Sequence, residues 1–347
     1  MNTVALGLFS GGLDSILACR LLVQQGITVV CLKFVTPFID YNLLERQEEY
    51  IAAMKNRFAL DVVVVDISKG YLEMLHNPAY GFGKNFNPCI DCKILMLRQA
   101  RKLMARYNAS FLVTGEVLGQ RPMSQRRDTI RVIERDAGCE GIILRPLSAR
   151  ILPATNAEKE GKVDRLQLCS ISGRGRKKQI QLAKELGIRD YPKPGGGCIL
   201  TDKQLGRRIE RVYSGEILLG TRKLSPADIK LLIIGRQFLL LEKYWFILGR
   251  NEKENDQLNA ARQKDDWLFS MPSHPGPAGL LRRAKEIKDR QTQEAVAAAA
   301  AGLVARFAKK IDGHFPAGKI LIDKGDTSCS RMTDALTDEV FSSWKIA

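Results

Sequence analysis

A short run of glycine, hydroxyl and carboxylate residues near the start of the chain could hold a phosphate. The run is Ser10-Gly11-Gly12-Leu13-Asp14-Ser15, and it stands between an apolar segment, Val4 to Phe9, and a helical pattern, Ile16 to Gln25. A glycine-rich turn between a buried strand and a helix N-terminus leaves backbone N–H groups unpaired and directed at one point. The sequence therefore predicts an anion site, with a plain Gly-Gly turn capped by Ser or Asp as the alternative.

The residue types in this run narrow the kind of anion. The run lacks the lysine of a Walker A motif and the spacing of a dinucleotide-binding G-x-G-x-x-G. It resembles the PP-loop of the N-type ATP pyrophosphatases, which split ATP into AMP and pyrophosphate and pass the adenylyl group to a carbonyl oxygen. The resemblance implies that the chain binds ATP. Its pyrophosphate would be held by Ser10, Gly11, Gly12 and Ser15, and Asp14 would help to position Mg²⁺.

Three of the eight cysteines have spacings that suggest chemistry. Cys89 and Cys92 form a C-x-x-C ahead of a helical pattern near Lys93, and Cys198 follows three glycines, Gly195 to Gly197. A helix N-terminus and a nearby lysine would lower the pKa of the paired thiols. Zinc would want a fourth ligand, and a redox-active dithiol would leave Cys198 unexplained. A [4Fe–4S] cluster on three cysteines would leave one iron open for sulfide, and the adjoining PP-loop favours this third interpretation.

A further segment, Thr114 to Gln125, reads T-G-E-V-L-G-Q-R-P-M-S-Q. It resembles the T-G-E-x-L-G-Q-x-x-S-Q stretch of the bacterial tRNA 4-thiouridine synthetases. The cysteine sites resemble those of the tRNA 2-thiouridylases and of their iron-sulfur-dependent relatives, and the similarity covers about residues 1 to 200. It implies that ATP adenylates a uridine carbonyl oxygen and that sulfur then displaces AMP. The implied catalytic residues are Asp14, Cys89, Cys92 and Cys198, and Gly115 joins the implied ATP site.

Polar and basic side chains follow the predicted strand Phe111 to Gly115. Open α/β sheets bind ligands at the carboxyl ends of their strands, and a second basic run, Ser172 to Lys178, could hold RNA phosphates. The predicted RNA-binding residues are Gln120, Arg121, Ser124, Gln125, Arg126, Arg174, Arg176 and Lys177. A polar surface loop and a solvated helix start are the respective alternatives.

The charge of the chain points to a polyanionic partner. The 347 residues include 54 Lys+Arg and 38 Asp+Glu, a formal net charge of +16. Residues 84–193 hold 23 basic and 11 acidic side chains, or +12 of that total. Concentrated positive charge steers nucleic acid toward a protein, and the resemblance to the tRNA 4-thiouridine synthetases implies that this partner is tRNA. No apolar run reaches membrane-spanning length and no charged-then-apolar leader precedes the first strand, so a cytoplasmic protein without a membrane partner is expected.

The apolar patterns predict an α/β fold with a parallel sheet. Runs at Val29 to Val35 and Asp61 to Ile67 alternate with a helical pattern at Leu43 to Leu60, and a basic helix is predicted over Lys93 to Tyr107. We expect a PP-loop domain of the N-type ATP pyrophosphatase fold and a smaller C-terminal α+β RNA-binding domain. The predicted stretches are 1–200, a helical connector at 201–235, and 236–347.

The C-terminal stretch carries its own resemblance. Two strand patterns, Phe238 to Leu241 and Tyr244 to Leu248, precede G-R-N-E-K-E-N-D at 249–256 and H-P-G-P at 274–277. This order resembles the RNA-binding domain of the NFACT ribosome-quality-control proteins, although Phe269 stands where those proteins often place histidine. The resemblance implies RNA contacts from Arg250, Asn251, Arg282 and Arg283 and stacking on Trp267. Trp245 is expected in the core.

Together these features predict an ATP-dependent tRNA sulfurtransferase that makes 4-thiouridine. No rhodanese-like carrier domain is visible in the sequence, so we expect the sulfur donor to be sulfide or an outside persulfide, such as one from a cysteine desulfurase. Only three residues precede the first strand, so we expect another segment to bind the RNA. The alternatives are a tRNA 2-thiouridylase using cysteine persulfide, another PP-loop ligase or amidotransferase acting on a small carbonyl, and an RNA-binding quality-control factor whose PP-loop domain senses nucleotide.

Overall fold

The computed structural model describes residues 3–193, 198–219, 224–315 and 317–346. The chain divides into two compact units, Met1–Asp202 and Lys203–Ala347. The finer division at residues 200 and 235 stays a prediction. The glycines Gly195 to Gly197 of the third cysteine motif lie outside the described residues.

The first unit is built on five parallel strands in the order β3-β2-β1-β4-β5, which confirms the predicted parallel sheet. The strands are β1 (Val4–Leu8), β2 (Thr28–Val35), β3 (Asp61–Asp66), β4 (Phe111–Thr114) and β5 (Ile143–Leu144). Their β-branched residues suit a sheet that is buried on both faces.

Helices cover both faces of this sheet. They are α1 (Leu13–Gln24), α2 (Gln47–Phe58), α3 (Ser68–Met74), α4 (Cys89–Met104), α5 (Arg127–Ala137), α6 (Asn156–Lys159) and α7 (Lys177–Glu185). Side chains alternate along β1, so that Ala5 packs in a core with α1 and α2, whereas Leu6 and Leu8 pack in a core with α4 and α5.

Two helix boundaries differ from the sequence prediction. The pattern at 43–60 is divided into a 3₁₀ turn, Tyr41–Glu45, and α2. Helix α4 begins at Cys89, four residues earlier than the predicted start at Lys93. Pro88 explains the earlier start of α4. A proline at a helix N-terminus costs no helical hydrogen bond, because the backbone N–H at that position would have no partner inside the helix. Both cysteines of the C-x-x-C therefore lie in the first turn of α4.

Strand β1 marks the point where the chain reverses direction across the sheet. It pairs with β2 on one side, Leu8 opposite Leu32, and with β4 on the other, Leu8 opposite Thr114. Ligands of open α/β sheets bind beyond the carboxyl ends of the two strands at such a switch point. The segments that follow β1 and β4 are therefore where a ligand is expected.

The second unit is an antiparallel sheet packed against a long helix, as predicted for an α+β domain. Its strands are β6 (Arg236–Leu240), β7 (Tyr244–Leu248), β8 (Trp267–Ser270), β9 (Gly279–Leu281), β10 (Gly318–Asp323), β11 (Ser328–Thr333) and β12 (Lys345–Ile346), in the order β11-β10-β8-β9-β7-β6-β12. The helices are α8 (Lys203–Tyr213), α9 (Pro226–Ile233), α10 (Glu252–Ala261), α11 (Arg290–Arg306) and α12 (Asp338–Phe341). The alanines of α11 pack on this sheet, and Trp245 is buried as predicted.

Within the described ranges, no helix has the length and apolar character needed to cross a membrane.

Candidate functional site

The loop after β1 has the backbone geometry of an anion site. Gly11 has φ +80°, a conformation that favours glycine, and Gly12 is the extended N-cap residue of α1. No side chain caps this helix among the residues that the structure places. The N–H groups of the first turn of α1 are therefore available to an anion, and the helix dipole favours negative charge at the same point.

The two serines of the loop fix its shape. The backbone N–H of Gly12 donates to Ser10 Oγ at 3.2 Å, and Ser15 Oγ donates to the carbonyl oxygen of Gly12 at 2.8 Å. The two hydroxyl oxygens lie 3.2 Å apart. Both predicted phosphate-binding hydroxyls thus face one another across the turn, Ser15 buried and Ser10 exposed.

Asp14 has one carboxylate oxygen paired and one open. Its Oδ2 accepts a hydrogen bond from Arg176 Nη2 at 3.1 Å. Its Oδ1 is buried and has no hydrogen-bond partner in the described part of the chain. A buried carboxylate oxygen without a partner beside an anion loop suits a hydrated Mg²⁺, which takes oxygen ligands. Arg176, predicted to contact RNA, lies instead against the PP-loop.

Gly115 lies at the end of β4, directly against the first turn of α1. A Cβ on Gly115 would stand 2.5 Å from the backbone nitrogen of Ser15 and 2.6 Å from the carbonyl carbon and oxygen of Asp14. These are rigid backbone atoms, so a side chain at this position would displace the loop. Gly115 thus allows β4 and the loop to approach closely, and its part in the implied ATP site stays a prediction.

Lys33 contacts the same loop, and the sequence reasoning missed it. Its side chain is buried, and its Nζ donates to the carbonyl oxygen of Ser10 at 2.7 Å and to the carboxylate of Asp40 at 2.5 Å. The available signal was a single lysine inside the apolar strand β2. A buried lysine requires such partners, and here they connect β2 to the PP-loop.

The three predicted cysteines form one neighbourhood. Cys89 and Cys92 lie in the first turn of α4, and Cys198 precedes a 3₁₀ turn at Ile199–Thr201. Asn87 Nδ2 lies 3.1 Å from Cys89 Sγ. Cys92 and Cys198 each lie close enough to Cys89 to interact with it electrostatically.

The pKa values of these thiols correct one expectation. Burial raises the pKa of Cys92 to about 12, and the neighbouring Lys93 only partly offsets this effect. Burial also raises the pKa of Cys198. The predicted lowering by the helix terminus and lysine was therefore wrong for Cys92, because desolvation disfavours the thiolate more strongly than these positive charges favour it.

The arrangement of the thiols bears on which metal group they suit. Among residues 3–193, 198–219, 224–315 and 317–346, no three His, Cys, Asp or Glu side chains are grouped closely enough to hold one metal ion. The thiolates of a [4Fe–4S] cluster bind different irons and stand farther apart than the ligands of one ion. The donor set, three neighbouring thiols, fits a cluster in its chemistry.

Glu116 joins the cysteine helix to the carboxyl end of β4. It is buried, and its carboxylate lies 3.3 Å from Lys93 Nζ and 3.0 Å from Arg145 Nε. Burial raises the pKa of Glu116, but the two cations outweigh that effect and lower it to about 2. Glu116 is therefore ionised at neutral pH. From its position after β4 it connects Lys93, which follows Cys92, with Arg145, which follows β5.

The residues after β4 that were predicted to bind RNA divide into two groups. Ser124 and Gln125 are buried, and Gln125 Oε1 accepts from the backbone N–H of Arg121 at 3.1 Å. These two residues shape the loop from inside. Arg121 and Arg126 are exposed and Gln120 is half-buried. Burial raises the pKa of Cys198, and the positive charge of Arg121 offsets part of this effect. The loop thus borders the cysteine neighbourhood.

The second basic run lies beside this loop. Gly173 N–H donates to the carbonyl oxygen of Leu118 at 2.7 Å. Arg174 and Lys177 are exposed. Together with Arg121 and Arg126 they place positive charge around the segment that contains Gly115 and Glu116.

In the second unit, several predicted RNA contacts have structural partners. Asn251 Oδ1 caps α10 by accepting from the N–H of Glu254 at 3.0 Å, and the half-exposed Arg250 pairs with the carboxylate of Glu254 at 2.5 Å. Arg282 is buried between Asp228 and Asp266, at 2.9 and 2.6 Å. Its predicted RNA contact was wrong, because the guanidinium neutralises two buried carboxylates.

The predictions for Arg283 and Trp267 fail for related reasons. Arg283 Nη2 donates to Asp228 at 2.8 Å, and its Nη1 donates to the carbonyl oxygen of Leu219. The side chain of Trp267 is buried, with only 3% of it exposed, so a base cannot stack on its ring. Both residues belong to the framework of the unit.

A cluster that the sequence analysis missed combines an aromatic ring with two cations. The guanidinium carbon of Arg306 lies 3.8 Å from the ring centroid of Phe315, and Lys310 Nζ lies 4.6 Å from it. Rings flanked by cations are suited to unpaired bases and their phosphates. The signal in the sequence was one phenylalanine a few residues after adjacent lysines, which is too common to single out.

Comparison with known proteins assigns both parts of the chain. Residues 2–150 match the family model described as thiamine biosynthesis protein (ThiI), and residues 235–345 match that of the NFACT protein RNA binding domain. A tRNA sulfurtransferase of Haemophilus influenzae (strain PittEE) is 31% identical over 151 residues, which is 41% of this chain and 28% of that protein. A probable tRNA sulfurtransferase of Mycoplasma genitalium is 30% identical over 152 residues, 41% of this chain and 35% of that protein. The matched part is thus about a third of these relatives.

Solved structures overlap the fold partially. A 4-thiouridine synthetase in complex with RNA and ATP superposes with a TM-score of 0.34 at 19% identity, covering 54% of this chain and 52% of that chain. The U34-tRNA thiolase NcsA from Methanococcus maripaludis, with its [4Fe–4S] cluster, superposes with a TM-score of 0.32 at 15% identity, covering 67% and 71%. Residues 2–150 are therefore similar to the ThiI family model, and residues 235–345 are similar to the model of the NFACT RNA-binding domain.

Proposed function

We propose that this chain is an ATP-dependent tRNA sulfurtransferase that adenylates a uridine carbonyl oxygen and replaces it with sulfur. One observation carries the proposal: the PP-loop and the three neighbouring cysteines are joined through the carboxyl end of β4. Gly115 lies against Asp14 and Ser15, and the next residue, Glu116, pairs with Lys93 beside Cys92. The ThiI-family match and the relatives named tRNA sulfurtransferase support the same activity.

The first step uses the PP-loop. The uracil carbonyl oxygen attacks the α-phosphorus of ATP, and the bond to pyrophosphate breaks as N3 of the base loses its proton. The first-turn N–H groups of α1 and the two serine hydroxyls would hold the departing pyrophosphate, where negative charge accumulates. Asp14 would hold Mg²⁺ through its open Oδ1, and Arg176 keeps the carboxylate oriented through Oδ2.

The second step replaces the activated oxygen. Hydrogen sulfide ion adds to the adenylated carbon, the carbon–oxygen bond breaks, and AMP leaves with the original oxygen. The proton of the sulfide moves to N3, which gives the thiocarbonyl nucleoside. Adenylation is needed because a carbonyl oxygen is otherwise a poor leaving group.

The sulfur donor site would be formed by Cys89, Cys92 and Cys198. When bound to these thiolates, a [4Fe–4S] cluster would supply one iron with an open position for sulfide. The chain's own residues must first release protons, and the raised pKa of Cys92 makes that release demanding. If the thiols instead carry a persulfide delivered by a cysteine desulfurase, two of them can form a disulfide as sulfur is released.

We propose that tRNA is held by both parts of the chain. In the first unit, the exposed Arg121, Arg126, Arg174 and Lys177 would contact phosphates near the reacting uridine. In the second unit, the proposed contact is the Phe315 cluster with Arg306 and Lys310, together with the half-exposed Arg250. The match of residues 235–345 to an RNA-binding domain supports this assignment. The favoured product is 4-thiouridine, because of the T-G-E-x-L-G-Q-x-x-S-Q segment.

The test is an anaerobic thiolation assay with the full chain. Protein reconstituted with iron and sulfide is incubated with bulk tRNA, Mg-ATP and sulfide, and thionucleosides and pyrophosphate are measured by mass spectrometry and an enzymatic assay. We expect 4-thiouridine and tRNA-dependent pyrophosphate release. Asp14→Asn should abolish both, whereas each of Cys89→Ser, Cys92→Ser and Cys198→Ser should abolish thiolation and lower bound iron. The matched control is Cys329→Ser, since Cys329 is exposed.

The outcomes separate the alternatives. A 2-thiouridine product would reassign the carbonyl, and thiolation that needs persulfide but no iron would make the cysteines sulfur carriers. If no thionucleoside forms while tRNA still binds, the sulfurtransferase proposal is overturned in favour of an RNA-binding factor.

A further inference from the structure

A cavity of about 120 Å³ lies between α5, β5 and residues 149–158, apart from the PP-loop. Its wall includes three arginines, Arg127, Arg131 and Arg145, and two glutamates, Glu134 and Glu158. None of residues 10–15 and none of the three cysteines Cys89, Cys92 and Cys198 lines it. The proposed sulfurtransferase reaction gives this cavity no role.

One of the lining residues, Arg145, has a buried guanidinium nitrogen without a hydrogen-bond partner among the described residues. The side chain of Arg145 is 3% exposed; its Nε donates to Glu116 at 3.0 Å and its Nη1 donates to Glu134. Its Nη2 has no hydrogen-bond partner in the part of the chain that the structure describes. A buried charged donor without a partner is unfavourable, so this nitrogen requires an acceptor.

The other two arginines offer donors from one face of α5. Arg127 and Arg131 are four residues apart and therefore lie on the same side of the helix. Arg127 Nη2 donates to the carbonyl oxygen of Ile151 at 3.1 Å, which leaves its remaining N–H groups available. Arg131 is exposed and makes no hydrogen bond or ion pair within the described ranges.

The charges around the cavity do not balance. Glu134 pairs with Arg145, and Glu158 pairs with Arg165 and accepts from Thr155. The charged residues of the wall, with Glu116, Lys93 and Arg165 that are ion-paired to them directly or through Glu116, number five cations and three carboxylates, an excess of two positive charges. The members are Lys93, Arg127, Arg131, Arg145 and Arg165 against Glu116, Glu134 and Glu158.

We propose that this cavity binds an oxyanion of phosphate size, a phosphoryl group that is either free or carried by an RNA backbone. Planar guanidinium groups match the geometry of phosphate oxygens. Arg145 Nη2 would donate from the buried end, and Arg127 and Arg131 would close over the exposed end. The inference stands without the proposed sulfurtransferase activity.

The test compares two double variants with equal loss of charge. Inorganic phosphate is titrated into the full chain by calorimetry. The test variant combines Arg127→Gln and Arg131→Gln, and the control combines Lys102→Gln and Arg135→Gln. Wild type and the control should bind one more equivalent of phosphate than the test variant, or bind that equivalent at least tenfold more tightly. Lys102 and Arg135 are exposed residues of α4 and α5 outside the cavity wall.

Two further measurements keep the result interpretable. Gly115→Ala, which should distort only the PP-loop, should retain the phosphate equivalent of the cavity, so failure of the ATP site is distinguishable from failure of this one. Displacement of the bound phosphate by tRNA would identify the RNA backbone as the source, and retention would identify a free anion. Equal phosphate binding by wild type and the Arg127→Gln, Arg131→Gln variant would overturn the proposal.

Discussion

The ammonium group of Lys93 lies 3.3 Å from the carboxylate of Glu116. Lys93 directly follows the second cysteine of the C-x-x-C, and Glu116 directly follows the glycine that packs against the PP-loop. This ion pair therefore joins two segments that the sequence connects only through α4 and β4. The pair adds an ionic contact between these segments to the apolar packing of α4 against β1.

Glu116→Gln should destabilise the first unit by about 3 kcal/mol. The substitution leaves the buried guanidinium of Arg145 and the ammonium of Lys93 without their shared anion, and breaking a buried pair costs this order of energy. Urea unfolding followed by circular dichroism measures the change. The control is Glu160→Gln, which removes an exposed partner of Lys162 and should cost no more than about 0.5 kcal/mol. Equal costs for the two variants would show that the pair is not a structural link.

The same carboxylate should make stability fall in acid. Although burial opposes ionisation, Lys93 and Arg145 lower the pKa of Glu116 from 4.5 to about 2. A group whose pKa is lower in the folded state stabilises the protein fully above its unfolded value, and this stability is lost as pH falls from about 4.5 through 2. Unfolding free energies of wild type should therefore drop more steeply below pH 4.5 than those of Glu116→Gln. Parallel curves would contradict the assignment.

Gly115→Ala should weaken Mg-ATP binding at least tenfold. The added Cβ would stand 2.5–2.6 Å from backbone atoms of Asp14 and Ser15, which cannot move without changing the anion loop. Binding of a fluorescent ATP analogue measures the effect. Gly175→Ala is the matched control, because a Cβ on Gly175 meets no atom within 4 Å and the backbone there does not require glycine. Unchanged affinity in Gly115→Ala would remove this glycine from the site.

In metal-free protein, Cys92 should react with iodoacetamide at least tenfold more slowly than Cys329 at pH 8. Burial raises the pKa of Cys92 to about 12, so very little thiolate is present, whereas Cys329 is exposed. Peptide mass spectrometry over a time course gives both rates in one sample. The Cys92 rate should keep rising with pH up to about 12. A fast reaction of Cys92 at pH 8 would contradict the raised pKa and support the lowered pKa predicted from the helix terminus.

Phe315→Ala and Lys310→Gln should each weaken tRNA binding several-fold. Loss of the ring removes a stacking surface, and loss of Lys310 should also reduce the salt dependence of binding by about one unit of slope. Filter binding at several salt concentrations measures both quantities. Lys264→Gln, an exposed lysine of the same unit, is the charge-matched control. If Lys264→Gln weakens binding as much as Lys310→Gln, the effect is general charge and not the Phe315 cluster.

The sequence predicted the features that depend on local patterns. The hexapeptide at Ser10 placed the anion loop between β1 and α1, because strand, glycine turn and helix follow one another directly. The apolar runs predicted the parallel sheet, and that sheet brings the segments after β1 and β4 to one edge. The burial of Trp245 followed from its alternation with apolar neighbours.

The failures involve partners that are distant in the chain. The Asp14 to Arg176 pair spans 162 residues, and no local pattern connects them. Arg282 seemed available to RNA because its burial depends on Asp228 and Asp266, which belong to other elements. Likewise Ser124 and Gln125 look like surface residues in sequence, yet their loop folds inward.

The position of β1 has a consequence for synthesis of the chain. Its partners on both sides, β2 and β4, are made later, the glycine behind the loop is residue 115, and the arginine that orients Asp14 is residue 176. A nascent chain synthesised only as far as α3 therefore has the nucleotide loop and β2 but lacks β4, Gly115 and Arg176. The loop residues reach their working geometry only after about half of this sequence has been synthesised.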